Sequence, residues 1–210
     1  GDAVVAEGAT ASYTVSLTSP AQTAVSVNLA YSGVAADGSD FSGLATVTIP
    51  AGASSAALNI ATLQDLLAEG AESFTVSIAS AAGGNFESLV ISAATGAATT
   101  SITDDDTPAL SVSSPSVGEG GFAVFTVALS NPSTTAVTFN PALSSGSATV
   151  GIDTSAALEY FDGSAWVPVT AAGVTLAAGA TSVQLRVATS DDFAAEGDET
   201  FSLTATVSAG

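Results

Sequence analysis

The stretch DLLAEGAESFTVSI (65–78) returns later in the chain as DFAAEGDETFSLTA (192–205). In each copy an acidic D-x-x-x-E-x-x-E segment runs into a phenylalanine followed by alternating apolar residues. Period-2 alternation is the mark of a β-strand with one buried face, so an acidic loop leads into a half-buried strand twice. Other stretches repeat in the same order. AEGATASYTVSLTSPAQTAVSV (6–27) lines up with GEGGFAVFTVALSNPSTTAVTF (118–139), and IPAGASSAALNI (49–60) with LAAGATSVQLRV (176–187). Recurrence at this scale means one structural unit used twice in tandem. The expected units are residues 1–107 and 108–210, with the boundary near Thr107-Pro108 and a short, stiff, proline-containing linker.

Working outward from that pair, most of each copy reads as β-structure. Tyr13, Val15 and Leu17 alternate with small polar residues, as do Val25, Val27, Leu29 and Tyr31. Turn signals such as Ser19-Pro20 and Ala82-Gly83-Gly84 punctuate the strands at the spacing of an all-β, Greek-key sandwich. The second copy carries an insertion, LEYFDGSAWVPV (158–169), expected to form a hairpin over residues 157–169 that turns at Asp162-Gly163. Trp166 is expected to cap the core there. The alignment stops at Gly210 opposite Gly83, so the second copy is expected to lack its last strand and to come from a longer array.

Composition excludes several functions. The 210 residues hold 20 acidic side chains and one basic one, Arg186, with no histidine and no cysteine, for a net charge of −19. Such a surface repels phosphate backbones and anionic lipid, which argues against nucleic acid and membrane surfaces as partners. With 47% hydrophobic residues the chain is rich enough in apolar side chains to fold, unlike disordered acidic chains. No apolar run is long enough for a transmembrane helix. No basic segment followed by a hydrophobic stretch opens the chain, so no cleaved leader is expected within it. Without His, Cys or Lys, neither a Ser triad, a thiol nucleophile nor a Schiff base can be assembled, and a non-enzyme is expected.

The acidic residues carry the chemistry. Followed along an up-and-down sandwich, Glu7, Asp40, Asp65, Glu69, Glu72 and the run Asp104, Asp105, Asp106 all fall at one end of the first copy. Two like charges 4 Å apart repel by about 4 kcal/mol at an effective dielectric near 20, a cost that a bound divalent cation removes. A donor set made only of oxygen selects Ca²⁺ or Mg²⁺ over zinc, copper or iron. Many carboxylates on flexible loops suit the six to eight ligands of Ca²⁺. The competing reading is an acidic, solvated set of loops in which Asp merely stabilises turns.

These residues resemble the Calx-β module, first recognised in sodium–calcium exchangers and common in large bacterial surface proteins. The matching elements are the early Glu7 and Glu119, the G-x-D segments GSDF (38–41) and GIDT (151–154), the acidic loops, and the T-x-DDD run of the first copy. The resemblance implies a Ca²⁺ cluster on Glu7, Asp40, Asp65, Glu69, Glu72 and Asp104 to Asp106. For the second copy it implies Glu119, Asp153, Asp191, Asp192, Glu196 and Glu199. Gln64 departs from the pattern, standing where an acid usually precedes Asp65. The cysteine-free, Ala/Thr/Val-rich composition is similar to repeats of RTX-type biofilm adhesins exported by type I secretion. That likeness implies an extracellular, cell-surface location and a monomeric fragment whose partners are neighbouring repeats of its own chain. Host or biofilm ligands would be met through other domains. The expected role is a calcium-stiffened extender. Recognition of glycan or protein around Tyr160 and Trp166 is one alternative, and regulatory calcium sensing another.

Overall fold

A computed structural model describes residues 1–192 and 197–210. All its regular elements are β-strands, and no described helix is long and apolar enough to cross a membrane. The chain divides into two compact units. The first comprises Gly1–Asp65 and Gly70–Asp105; the second comprises Leu66–Glu69 and Asp106–Gly210.

In the first unit the strands are β1 (Val4–Ala6), β2 (Thr10–Ser16), β3 (Val25–Gly33), β4 (Phe41–Ser42), β5 (Thr46–Ile49), β6 (Ser55–Thr62), β7 (Glu72–Gly83) and β8 (Ala97–Thr103). They form one sheet in the order β1-β8-β7-β3-β5 and another in the order β2-β6-β4. Alternation fixes which face is buried: Ala11 and Tyr13 on β2, Leu58 and Ile60 on β6, and Phe74 and Val76 on β7 point into the core. Phe41 and Phe74 stack there with ring centroids 4.3 Å apart and planes 20° from parallel, a contact that adds to simple area burial. Thr100, fully buried, gives its hydroxyl hydrogen to Asp2 O at 2.5 Å, so the Tyr13 hydroxyl bonded to it must be the donor of that pair.

The second unit contains β9 (Leu110–Val112), β10 (Phe122–Leu129), β11 (Val137–Ser145), β12 (Glu159–Phe161), β13 (Trp166–Pro168), β14 (Val174–Leu176), β15 (Ser182–Ala188) and β16 (Phe201–Ala209). Its sheets run β13-β12-β15-β10-β9 and β14-β11-β16, which leaves β16 at an edge. Phe125, Val127, Phe139, Leu185 and Val187 are the centre of its core. Leu66–Glu69 belongs here through Ala68, whose N–H donates to Pro132 O at 2.9 Å and whose carbonyl accepts from Thr134 N, also at 2.9 Å.

The inserted segment is the hairpin β12–β13, paired from Glu159↔Pro168 to Phe161↔Trp166. Asp162 closes it by accepting from Ala165 N, Ser164 N and the Ser164 hydroxyl, bonds that hold its carboxyl below the ordinary range. Trp166 does not cap the core. Tyr160 faces inward, so alternation turns Phe161 and its partner Trp166 to the outer face. There the Arg186 guanidinium lies 4.2 Å from the Phe122 ring centroid and 4.4 Å from that of Trp166, while its Nε donates to Glu159 at 2.7 Å. The outer face of this sheet is therefore an aromatic platform around the one cationic side chain of the chain, a feature the strand pattern alone did not reveal.

Candidate metal centre

Parallel strands end together, and that fact builds the acidic site of the first unit. β1 pairs with β8 in parallel, Ala6 opposite Thr103. The next residues, Glu7 and Asp104, therefore emerge side by side, and Glu7 N donates to Thr103 O at 3.1 Å. The chain then turns sharply into β2 through Gly8, whose φ of 68° lies in the region that favours glycine. A side chain at that position would also crowd Gln64. Thr62, buried, holds the turn from beneath, its hydroxyl 2.9 Å from Ala6 O and 3.0 Å from Ala9 O.

Glu7, Asp104 and Asp105 each present a carboxylate oxygen within 4.8 Å of the others. Opposite oxygens of a Ca²⁺ shell, at bond lengths of 2.3–2.6 Å, are about 4.6–5.2 Å apart. One ion can thus touch all three, and the all-oxygen donor set fits a hard cation. Gln64 lies among them: its amide nitrogen is 3.0 Å from Asp105 Oδ1 and 3.5 Å from Glu7 Oε2. A neutral amide stands where a further carboxylate would otherwise add charge.

Asp40 and Glu72 form a second acidic pairing within the same 4.8 Å limit. Asp40 Oδ2 also accepts from Ala36 N at 2.5 Å, closing its own loop. Glu72 opens β7 on the face that carries Phe74 and Val76, which places its carboxylate at the end of the core. Asp65 falls in neither group. Glu69 and Asp106, expected in the same site, are counted with the second unit.

The second unit repeats the scaffold more faithfully than the charge. Asp153 Oδ2 accepts from Thr149 N at 2.7 Å, as Asp40 does from Ala36. Ser190 N donates to Asp153 O at 2.8 Å, as Leu63 N does to Asp40 O at 2.9 Å. Gly120 has a φ of 67°, and a Cβ on it would lie 3.1 Å from Asp191. Asp191 thus occupies the place of Gln64. Glu119, Asp191, Asp192 and Glu199 are exposed, and Asp153 is half-buried. Among the described residues no three acids of the second unit come within the distance that unites the first trio. Glu196 lies outside the described residues. The sequence reading missed Thr62 and its counterpart Thr189, whose hydroxyl sits 3.1 Å from Gly118 O and 3.3 Å from Gly121 O. Their identical offset from the aligned acids was the available signal.

Fold and site together define a tandem of acid-rimmed β-sandwiches, one of which gathers carboxylates that could hold a metal ion. The LapA domain model matches residues 1–105, half of the chain, and the chain belongs to that family. The Calx-beta domain model matches residues 110–209. No curated protein is similar in sequence. Among solved structures, CBD12 of CALX1.2 is similar at 17% identity, over 97% of this chain and 76% of that one, with a TM-score of 0.43. The calcium binding domain CBD12 of CALX1.1 is similar at 20% identity, over 90% of this chain and 74% of its own, also at 0.43. The apo-form Calx CBD1 domain is 25% identical over 50% of this chain and 92% of its own, again at 0.43.

Proposed function

We propose that the chain is a calcium-stabilised extender of a large bacterial surface adhesin, a spacer that projects a distal ligand-binding region. The carrying observation is the convergence of Glu7, Asp104 and Asp105 in a chain of net charge −19 whose one basic side chain, Arg186, pairs with Glu159. Carboxylates this close repel one another, and a bound cation offsets that repulsion, so the loop ends of the first unit stiffen as calcium rises. Extracellular modules bind Ca²⁺ in the range of about 10⁻⁴–10⁻³ M, which would leave the chain loose in a calcium-poor cytosol and firm outside. Tandem β-sandwiches suit a spacer because each carries its own core. No catalytic role is assigned.

Thermal unfolding from EDTA to about 10 mM CaCl₂, with MgCl₂ as the control, tests the reading. A large rise with Ca²⁺ and a small one with Mg²⁺ is expected; equal melting in all three would remove calcium from the proposal. A second reading, recognition of glycan or protein, is favoured by the outer face built from Phe122, Phe161, Trp166 and Arg186. Glycan-array binding abolished by Trp166→Ala would establish it.

A further inference from the structure

The four sheets present unlike outer faces. Among the described residues, the strands of three of them turn no aromatic or charged side chain outward. Their outward positions are mostly Ser, Thr, Asn and Ala, as in the hydroxyl pairs Thr75–Thr99 and Thr138–Thr175. The fourth sheet, β13-β12-β15-β10-β9, is the exception. Register sets Pro168, Glu159, Arg186 and Val124 side by side in one row of its outer face. Trp166 and Phe161 stand in the row on one side of Arg186, and Phe122 in the row on the other. Phe122 is 47% exposed and Phe161 37%, although Arg186 already lies over the Phe122 ring.

Polar capacity is left over at the centre of this patch. Arg186 spends its Nε–H on Glu159 Oε2 at 2.7 Å. Among the described residues, its two terminal amino groups and Glu159 Oε1 have no other hydrogen-bond partner. Both side chains reach solvent. The guanidinium is held between Phe122 and Trp166, so its free N–H donors are fixed in direction before any ligand arrives. Size and charge then narrow the choice of ligand. Four strands by three rows make a patch about 14 Å on a side, or about 200 Å². A stable protein interface takes about 800 Å² from each partner, so the patch suits a short oligosaccharide better than a folded protein or a second copy. Arg186 is balanced by Glu159 within a chain of net charge −19, which disfavours acidic sugars.

We propose that this face binds a neutral, β-linked pyranose glycan. The assignment rests on the second reading, recognition of glycan or protein, and narrows it to one ligand class. The flat C–H faces of the sugar rings lie on Phe122 and Phe161. One ring hydroxyl accepts from an Arg186 terminal N–H, and its neighbour donates to Glu159 Oε1. Because these groups all belong to the second unit and include none of the acidic trio, binding is independent of calcium.

Trp166 is the one tryptophan of the chain, so its emission reports on the site directly. The test titrates the whole chain in EDTA and again in CaCl₂. Cellohexaose is the neutral probe, and a β-linked mannuronate hexamer is the acidic one. A saturable change in Trp166 emission with cellohexaose alone, equal in both buffers, is expected. Phe122→Ser should weaken it by about tenfold or more while leaving the circular dichroism unchanged. Thr204→Val, on the other sheet of the same unit, should leave the affinity as it is. A stronger response to the mannuronate hexamer would overturn the neutral assignment while keeping recognition at this face. Silence with both probes and with the neutral members of a glycan array would remove glycan binding altogether. An emission change on diluting the protein alone would give the face to a second copy and overturn the proposal as well. None of these outcomes decides the calcium-stabilised extender, which thermal unfolding in CaCl₂ tests separately.

Discussion

Replacing Asp104 by Asn separates the cost of the acidic trio from its use. At 4.8 Å, the limit of the oxygen separations, each carboxylate pair repels by about 0.9 kcal/mol in bulk water and about 3.5 kcal/mol at an effective dielectric of 20. Asp105 is exposed and the other two are half-buried, so the water-like end governs. Asp104→Asn removes two of the three pairs and should raise the stability of the first unit in EDTA by about 1–3 kcal/mol. Calcium acts the other way. At ten to a hundred times the dissociation constant, bound ion contributes about 1.4–2.7 kcal/mol, and a tenfold loss of affinity removes about 1.4 kcal/mol of it. The variant should therefore be the more stable protein in EDTA and should gain less from CaCl₂. Urea unfolding followed by circular dichroism reads both units, while the fluorescence of Trp166 reads the second alone and serves as an internal control. Equal calcium increments in parent and variant, or a variant less stable than the parent in EDTA, would refute the electrostatic account.

The other expectations follow from neighbouring contacts. Gln64→Glu adds a carboxylate beside Glu7 and Asp105, so it should lower the EDTA melting temperature and strengthen calcium binding, measurable by calorimetric titration. Arg186→Ala removes two cation–π contacts and leaves Glu159 without its partner. The second unit should lose about 1–3 kcal/mol in urea, with Arg186→Lys a poor rescue because an ammonium lacks the planar face that sits between the rings. Alkaline pH should weaken the first unit. Burial raises the Tyr13 phenol above its ordinary 10.0, so its contribution is intact below that value and is lost as pH climbs through the folded value. An ultraviolet tyrosinate titration alongside unfolding should show the loss, and Tyr13→Phe should reduce it.

The strand set was legible in the sequence because alternation reports directly on burial. Residues Phe74 and Val76 needed nothing beyond period two to be placed inward. The assembly of acids at one end was legible to the extent that it depends on strand direction, as with Glu7 and Asp104. What the pattern did not carry was sheet order and the choice of face in the insertion. Trp166 reads as core by composition, yet the pairing of Phe161 with Trp166 and the inward turn of Tyr160 put it outside. Nor does spacing disclose which loop acids bring their oxygens within 4.8 Å of one another, because a loop residue is placed by turn geometry rather than by period.

Comparison of the two copies also divides the acids by cause. Asp40 and Asp153 recur in both units, and in both the carboxylate accepts a backbone N–H four residues earlier, from Ala36 and Thr149. Loop closure alone explains an aspartate there, so recurrence of the G-x-D element is weak testimony for an ion. The Glu7, Asp104 and Asp105 trio is different. Glu7 and Asp104 are brought together by the parallel β1–β8 pairing, and an N–H from Glu7 to Thr103 O fixes the approach without using either carboxylate. The backbone thus imposes the proximity, and the side chains present there are acids, where neutral residues would fold at less cost. A cation bound there would supply the compensation, and the neutral Gln64 would limit how much is needed. If Glu7→Gln and Asp104→Asn together abolish the calcium response while Asp40→Asn merely loosens its loop, that division of labour stands; a larger calcium defect from Asp40→Asn would move the centre of the site to the Asp40–Glu72 pair.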